Sequence, residues 1–185
     1  LSVMANYTLQ FSRGNADTPT STFSRAGSQR DPVNKLIPMS WDQRHTANVT
    51  VGYSMPRYGA TMTVYYNSGS PYTWSPLADS PLSRVNLFPN NEHIPSSLSA
   101  DLSGYADLFR FAGMKMRATL LVYNLFDQLN DSWVNGNTGR AYTAIIRETD
   151  LASHRSDFNT YEDRIHDPTM YSTPRLVKLG LEMVF

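Results

Sequence analysis

The last twelve residues of the chain, 174–185, constrain its fold more than any other stretch. Counted back in steps of two from Phe185, every position down to Val177 is large and apolar, whereas the alternate positions are mostly small or charged. A period of two places successive side chains on opposite faces, so the pattern predicts a β-strand with one apolar and one polar face. The two alternating sets are Phe185, Met183, Leu181, Leu179 and Val177 against Val184, Glu182, Gly180 and Lys178.

The same alternation recurs through the chain and predicts an all-β, antiparallel fold of about seven strands. Three intervening stretches lose the period and are expected to be loops; the second contains five prolines, which inner strands exclude. The sixth strand is interrupted by the turn-like run 135–139, so we expect it to be bulged or split. The predicted strands are 1–12, 43–54, 59–67, 97–108, 114–124, 132–147 and 174–185, and the predicted loops are 13–42, 68–96 and 148–173.

Two architectures can accommodate strands that have one apolar and one polar face. In a soluble β-sandwich the apolar faces of two sheets meet, whereas in a membrane barrel the apolar face meets lipid and the polar face lines a water-filled lumen. Most of these strands are long enough to span about 25–30 Å when tilted, and short turns alternate with very long loops. The polar faces carry no apolar residue except Met4 and Val184. These features favour an antiparallel transmembrane β-barrel segment.

Composition excludes several classes of protein. No stretch approaches the roughly 18 consecutive apolar residues of a membrane helix. The net charge is zero, from 16 basic and 16 acidic residues without a basic stripe, so no nucleic-acid partner is expected. The chain has no cysteine, which excludes disulfides and thiolate metal sites. Its 11 Tyr, 3 Trp and 8 Phe could supply the aromatic girdles of a barrel.

The first residues, Leu1-Ser2-Val3, fall directly into a strand pattern and do not resemble a signal peptide. An odd number of strands cannot close a bacterial barrel, and an open apolar arc would leave unpaired strand edges in lipid. We therefore expect residues 1–185 to be the C-terminal part of a larger barrel domain, completed by preceding strands or by another chain.

Candidates for catalysis or metal binding are few. A cluster in the last loop could bind a divalent cation, but its spacing matches no ligand pattern and a solvated loop is the favoured interpretation. The Asp42–His45 run is interpreted as a turn rather than as an acid–base pair, and no Gly-x-Ser-x-Gly elbow occurs. The sequence predicts neither an enzyme nor a bound cofactor. The metal candidates are Asp163, His166 and Asp167, with His154 and Glu162 nearby.

Four short stretches resemble the C-terminal part of TonB-dependent outer-membrane receptors, in matching order and spacing. The long loops are most similar to the large receptors that carry a carboxypeptidase-regulatory-like N-terminal domain. The terminal pattern of polar residue, glycine, apolar residue and final aromatic resembles the signal read by the barrel-assembly machinery. The four stretches are Trp41-Asp42-Gln43-Arg44-His45-Thr46, Ser68-Gly69-Ser70-Pro71-Tyr72-Thr73, Val122-Tyr123-Asn124-Leu125-Phe126-Asp127 and Tyr171-Ser172-Thr173-Pro174-Arg175, and the terminal pattern is Lys178, Gly180, Met183 and Phe185.

This resemblance implies a barrel of about 22 strands in the outer membrane of a Gram-negative bacterium, with this chain as its last third. It implies import of a bulky nutrient, driven by the inner-membrane TonB complex. The implied partners are outer-membrane lipid, the remaining strands, an N-terminal plug domain, the TonB complex, the barrel-assembly machinery and a surface lipoprotein. The final strand would end in the periplasm, which makes 124–131 a periplasmic turn and 148–173 the last extracellular loop.

The resemblance also places ligand recognition on the extracellular loops and charged strand residues in the lumen. Two alternatives remain open: a passive porin-like or adhesin barrel without energy coupling, and a soluble β-sandwich binding module. The ligand-contact candidates are Arg147, Arg155, Tyr161, Arg164 and Tyr171, and the expected lumen residues are Lys115, Arg117, Lys178 and Glu182.

Overall fold

A computed structural model describes residues 1–28, 33–77, 80–81, 88–111, 113–141 and 168–184. This described part of the chain is built from antiparallel β-structure with one α-helix and a 3-10 turn at Pro168–Met170. The elements in chain order are β1 (Ser2–Leu9), β2 (Arg13–Gly14), α1 (Pro19–Gly27), β3 (Ile37–Pro38), β4 (His45–Ser54), β5 (Tyr58–Asn67), β6 (Pro71–Tyr72), β7 (Glu92–His93), β8 (Ser97–Phe111), β9 (Met114–Tyr123) and β10 (Leu176–Val184).

A six-stranded sheet in the order β1-β4-β5-β8-β9-β10 dominates the structure. Its register places apolar residues opposite apolar residues across every ladder, so one face of the whole sheet is apolar. The row through its middle is Val3, Val51, Met62, Leu102, Val122 and Val177. The prediction of antiparallel strands with one apolar face is confirmed. The first five predicted strands correspond to β1, β4, β5, β8 and β9, and each begins and ends within a few residues of its predicted bounds.

The opposite face is polar, but less uniformly than the sequence pattern predicts. Lys115 and Arg117 lie on this face and both pair with Asp107, at 2.7 and 2.8 Å. The prediction that Met4 and Val184 are the only apolar exceptions is wrong. Leu121 and Leu176 also lie on the polar face, because Leu121 stands opposite Lys178 and Leu176 stands opposite Tyr123. The two leucines are 39% and 49% exposed.

The connections divide the sheet into two unlike ends. At one end, three residues (55–57) join β4 to β5 and two residues (112–113) join β8 to β9. At the other end lie all three long connections, 10–44, 68–96 and 124–175, and we call this the long-loop end. The placement of 124–131 opposite the last long loop is therefore wrong. Residues 124–131 leave β9 at the same end at which β10 begins, and Arg175 N donates to Asp127 at 2.8 Å.

The predicted sixth strand is absent from residues 132–141, and the rest of it, 142–147, lies outside the described residues. Consecutive turns replace the strand here, because the backbone bonds to itself and Gly139 has a φ of +69°. Gly139 N donates to Asn135 O at 2.8 Å, which closes one of these turns. The sheet therefore has six described strands, so the argument from an odd strand count does not hold. Neither β1 nor β10 is paired at its outer edge within the described residues, and the sheet is open.

Two predicted loops contain regular structure. Residues 19–27 form α1 within the first loop, because Thr18 and Ser21 cap its first turn, with 2.8 Å between their hydroxyls, and Pro19 is suited to that position. In the second loop, β6 pairs with β7 over two residues, so the exclusion of strands there is also wrong. Pro71 is tolerated in β6 because this ladder is two strands wide and short.

Little of the apolar surface is buried in the described part of the chain. A small cluster of Val33, Ile37 and Met39 is buried within the first long connection. On the apolar face of the sheet, by contrast, Leu179 and Leu181 are 81% and 67% exposed. None of the described helices is long and apolar enough to cross a membrane.

A glycine–tyrosine contact fixes the polar face beside the short turns. The Tyr105 ring lies across Gly59, where an added Cβ would be 2.7 Å from a ring carbon. The ring cannot easily move, because its hydroxyl lies 3.1 Å from both Ser54 Oγ and Met55 O, and the Arg117 guanidinium lies 4.4 Å from the ring centroid.

Gly59→Ala is expected to lower the free energy of unfolding by about 1–3 kcal/mol, because the new methyl group must displace a held ring. Gly104→Ala is the matched control, because Gly104 also lies in a strand of the large sheet and the nearest atom to its Cβ position, Gly59 O, is at an ordinary contact distance of 3.5 Å. Denaturant unfolding of both variants measures the difference. Equal stabilities for the two variants would show that Tyr105 is free to move.

Candidate functional site

The long-loop end contains the small apolar cluster of Val33, Ile37 and Met39, but its connections are joined to one another by buried polar side chains. Asp42 is fully buried, and its Oδ1 accepts a hydrogen bond from Ser12 N at 2.8 Å. Its Oδ2 lies 3.3 Å from Arg44 Nη2, and the Arg44 guanidinium lies 4.4 Å from the centroid of Phe11. One carboxylate thus joins the chain after β1 to the start of β4. This geometry agrees with the turn interpretation of Asp42–His45.

Asn90 joins the first long connection to the second. Its side chain is buried, and Nδ2 donates to both carboxylate oxygens of Asp17, at 3.0 and 2.9 Å, and to Pro38 O at 3.0 Å. Its backbone N donates to Thr73 Oγ1 at 3.0 Å. Asn90 has a φ of 56°, a conformation that asparagine tolerates better than most residues.

Trp74 and Asn137 join the second long connection to the third. Trp74 Nε1 donates to Asn137 O at 3.1 Å, and Asn137 Nδ2 donates to Ser75 O at 2.7 Å. Tyr72 lies nearby, where burial raises the pKa of its phenol; Glu92 raises it further and Arg140 opposes the shift. The phenol of Tyr72 therefore stays neutral at physiological pH and acts as a hydrogen-bonding group.

Asn124 and Asn130 join the third connection to the sheet. Asn124 N donates to Asp101 Oδ1 at 3.0 Å, and its Nδ2 donates to the carbonyls of Gln128 and Thr173, both at 3.0 Å. Asn130 Oδ1 accepts a hydrogen bond from Leu98 N at 3.0 Å, and Asn130 Nδ2 donates one to Leu98 O at 2.9 Å. Both side chains are buried, so the start of β10 is fixed against the end of β9.

Asn124 and Asn130 line an open concavity of about 520 Å³ on the polar face, which we call the polar concavity. Its floor is the start of β8 and its walls come from the third long connection. Ten of its eleven lining residues carry a hydroxyl, amide or carboxylate group, although apolar atoms make up the larger part of its exposed lining. Arg140 Nη1 lies 3.9 Å from the Asp131 carboxylate. Such a lining can hydrogen-bond a polar molecule. The lining residues are Ile94, Ser97, Ser99, Asp101, Tyr123, Asn124, Asn130, Asp131, Ser132, Ser172 and Thr173.

One of the ligand-contact candidates lies beside the polar concavity. Tyr171 is half-buried and forms an isolated β-bridge with Asp131, which itself lines the concavity. The other four, Arg147, Arg155, Tyr161 and Arg164, lie outside the described residues.

The metal candidates Asp163, His166 and Asp167, with His154 and Glu162, also lie outside the described residues. Where the structure is described, no three His, Cys, Asp or Glu residues come together as metal ligands would.

The terminal pattern lies on β10, at one edge of the sheet. Lys178 is on the polar face, with its Nζ 5.3 Å from the Tyr123 ring centroid, whereas Met183 is on the apolar face and 62% exposed. Gly180 fits beside Thr119, whose Oγ1 would be 2.5 Å from a Cβ at that position. Phe185 lies outside the described residues.

A scan against protein-family models and searches of curated proteins and of solved structures found no match to this chain.

Sequence reasoning missed the residues that build the long-loop end. Asp101 reads as one polar position in a strand pattern, and Asn90 and Asn130 read as ordinary loop residues. The available signal was the abundance of asparagine next to the strand ends, because asparagine both accepts a left-handed backbone and bonds other backbone groups.

Asn124→Ala is expected to lower the free energy of unfolding by about 2–3 kcal/mol, because it removes the donor to the carbonyls of Gln128 and Thr173 and places alanine at a φ of 51°. Asn15→Ala is the control, since the exposed Asn15 side chain makes no hydrogen bond with another described residue. Thermal unfolding of both variants measures the effect. A loss no larger than that of the control would contradict the role given to Asn124.

Proposed function

We propose that this chain forms part of a transmembrane β-barrel in the outer membrane of a Gram-negative bacterium. The observation that carries the proposal is the apolar face, which runs across six strands and whose large side chains are half-buried or exposed except Val122. Exposed apolar surface costs about 25 cal/mol per Å² in water, and monomeric soluble proteins rarely expose patches beyond a few hundred Å². Lipid removes that cost without a second layer of protein.

The spacing of tyrosines on the apolar face supports a membrane of ordinary thickness. Tyr58 and Tyr66 lie on the apolar face of β5, with only Ala60, Met62 and Val64 between them on that face. Eight residues span about 26 Å along a strand, or roughly 20 Å of height at a tilt of 40°. Barrels place aromatic girdles at both interfaces of an apolar band of about 25 Å.

The unlike ends of the sheet support a fixed orientation. Outer-membrane barrels have short turns in the periplasm and long loops outside, and this sheet has its short turns at one end and its long connections at the other. In that orientation the long-loop end faces the medium. The polar concavity, beneath the long connections on the polar face, is then reached by a ligand arriving from outside.

We propose further that the barrel belongs to a TonB-dependent receptor that imports a bulky nutrient. Each of the four stretches that resemble this family contains a residue that fixes the long-loop end. Asp42, in the first stretch, accepts a hydrogen bond from Ser12 N, and Ser68 Oγ, in the second, accepts one from His45 N. The third and fourth stretches are joined to each other, because Asp127 accepts a hydrogen bond from Arg175 N. In this proposal the transport step is conformational, ligand contacts are polar, and the plug domain and TonB complex supply closure and energy.

The passive-barrel alternative is favoured by one observation. The polar faces of β1, β4 and β5 carry hydroxyl and amide groups and no charged side chain, for example Thr50 and Thr63, whose hydroxyls lie 3.1 Å apart. Such a wall would suit a water-filled channel. Uptake that persists after the proton-motive force is abolished would select the passive barrel, whereas a protein that is monodisperse without detergent would select the β-sandwich.

Leu102→Arg is expected to cost about 2–4 kcal/mol, because Leu102 lies on the apolar face midway between the two tyrosine levels and would place a charge near the bilayer midplane. Ser103→Arg, one residue further along, would place the same group in the water-filled lumen and should cost far less. Unfolding titrations in lipid vesicles measure both values. Equal costs would contradict the proposal.

A further inference from the structure

The polar concavity offers hydrogen-bond acceptors but few donors on nitrogen. Asn124 and Asn130 are the residues of its described lining whose side chains carry nitrogen. Asn124 Nδ2 uses both of its hydrogens on the carbonyls of Gln128 and Thr173, and Asn130 Nδ2 uses one on Leu98 O. One side-chain amide hydrogen therefore remains for a ligand, and no lysine, arginine or histidine is among the described lining residues.

Two carboxylates of the polar concavity have unused oxygens. Asp101 Oδ1 accepts a hydrogen bond from a backbone N–H, whereas its Oδ2 bonds no other described residue. Asp131 Oδ2 lies 3.9 Å from Arg140 Nη1, which is beyond hydrogen-bond distance. The side chains of Asp131 and Arg140 are 13% and 55% exposed, so the guanidinium is the solvent-facing partner of a loose ion pair. Lys178 lies nearby, but over the ring of Tyr123, and makes no ion pair with either of these two described carboxylates.

Hydroxyl groups with open hydrogen-bonding capacity share the lining with these carboxylates. Ser97, Ser99 and Asp101 alternate along β8, so they stand in one row on the polar face, about 7 Å apart. Ser132 and Thr173 belong to the walls formed by the third long connection. None of the four hydroxyls is hydrogen-bonded to another described residue, so each can both donate to and accept from a ligand.

We propose that the polar concavity binds an oligosaccharide that carries protonated amino groups. This inference rests on the proposed function, in which the concavity opens to the medium, and it names the class of the imported nutrient. An ammonium group supplies three hydrogens to the unused oxygens of Asp101 and Asp131. Such charge-assisted hydrogen bonds are about twice as strong as those between neutral groups. The sugar hydroxyls pair with the open serine and threonine hydroxyls, and the apolar part of the lining contacts the ring carbons.

Other classes of ligand match the lining less well. An anionic ligand would meet two carboxylates and a single free amide hydrogen. A simple polyamine would leave the four open hydroxyls unmatched, and a neutral saccharide would leave both carboxylates without a counter-charge. The volume of about 520 Å³ lies within the range of about 300–1,000 Å³ that is typical of small-molecule sites.

The test uses the full protein in detergent and isothermal titration with two probes, a glucosamine tetramer and its N-acetylated counterpart, which has the same rings without the charges. The wild-type protein is expected to bind the glucosamine tetramer about tenfold more tightly than the acetylated one. Asp101→Asn and Asp131→Asn are each expected to weaken binding of the glucosamine tetramer about fivefold and to leave that of the acetylated tetramer unchanged. Asparagine at 101 keeps an acceptor for the backbone N–H that Asp101 binds, so the fold is retained.

Asp127→Asn is the matched control, because it removes the same charge from the same long connection, four residues before Asp131. Asp127 accepts a hydrogen bond from Arg175 N at 2.8 Å but is not among the described lining residues. This variant should bind both tetramers as the wild-type protein does.

Equal affinities of the wild-type protein for the two tetramers would overturn the proposal, as would equal weakening by Asp127→Asn. Spermine bound as tightly as the glucosamine tetramer would also overturn it, because the hydroxyls would then contribute nothing. If the protein requires detergent but binds neither tetramer, this inference alone fails. If the protein is monodisperse in plain buffer, the proposed function fails with it.

Discussion

The register of five antiparallel ladders is the constraint on which the rest of the structure depends. Backbone hydrogen bonds fix which residues stand opposite one another, and a shift by one residue would move every side chain of a strand to the other face. Here the pairing aligns the apolar set of each strand with that of its neighbour, as Val49 does with Ala5 and Val64. Segregation of apolar and polar groups is therefore a property of the whole sheet rather than of single strands.

A second kind of interaction organises the long-loop end, where there is little apolar surface to bury. Buried Asp42, Asn90 and Asn124 each bond a backbone group of a distant segment, namely Ser12 N, Pro38 O and Thr173 O, so the long connections are fixed to the strand ends and to one another. An unpaired buried polar group costs about 1–3 kcal/mol, so such joints are specific as well as stabilising. They give the polar concavity a defined lining even though it lies among loops.

Most of the large sheet could be predicted from the sequence, because a period of two is a local signal that appears in every strand. The errors have physical causes. Within residues 132–141 the predicted sixth strand is absent because Asn135 and Gly139 favour turns over the nearby β-branched residues. Leu121 and Leu176 were not foreseen on the polar face because two strands contain consecutive apolar residues, and only the ladder decides their faces. The side-chain hydrogen bonds of the long-loop end could not be predicted, since they pair residues up to 73 positions apart, as in Asp17 and Asn90.

The central claim is that lipid contacts one face of the sheet and water the other. The chain contains no cysteine, so spin labels can be placed singly at each position of β5 without a background. In lipid vesicles, labels at Ala60, Met62 and Val64 should be relaxed by oxygen, which concentrates in the bilayer. Labels at Thr61 and Thr63 should instead be relaxed by a water-soluble nickel complex. Protection of both sets, or access of the nickel complex to both, would contradict the account.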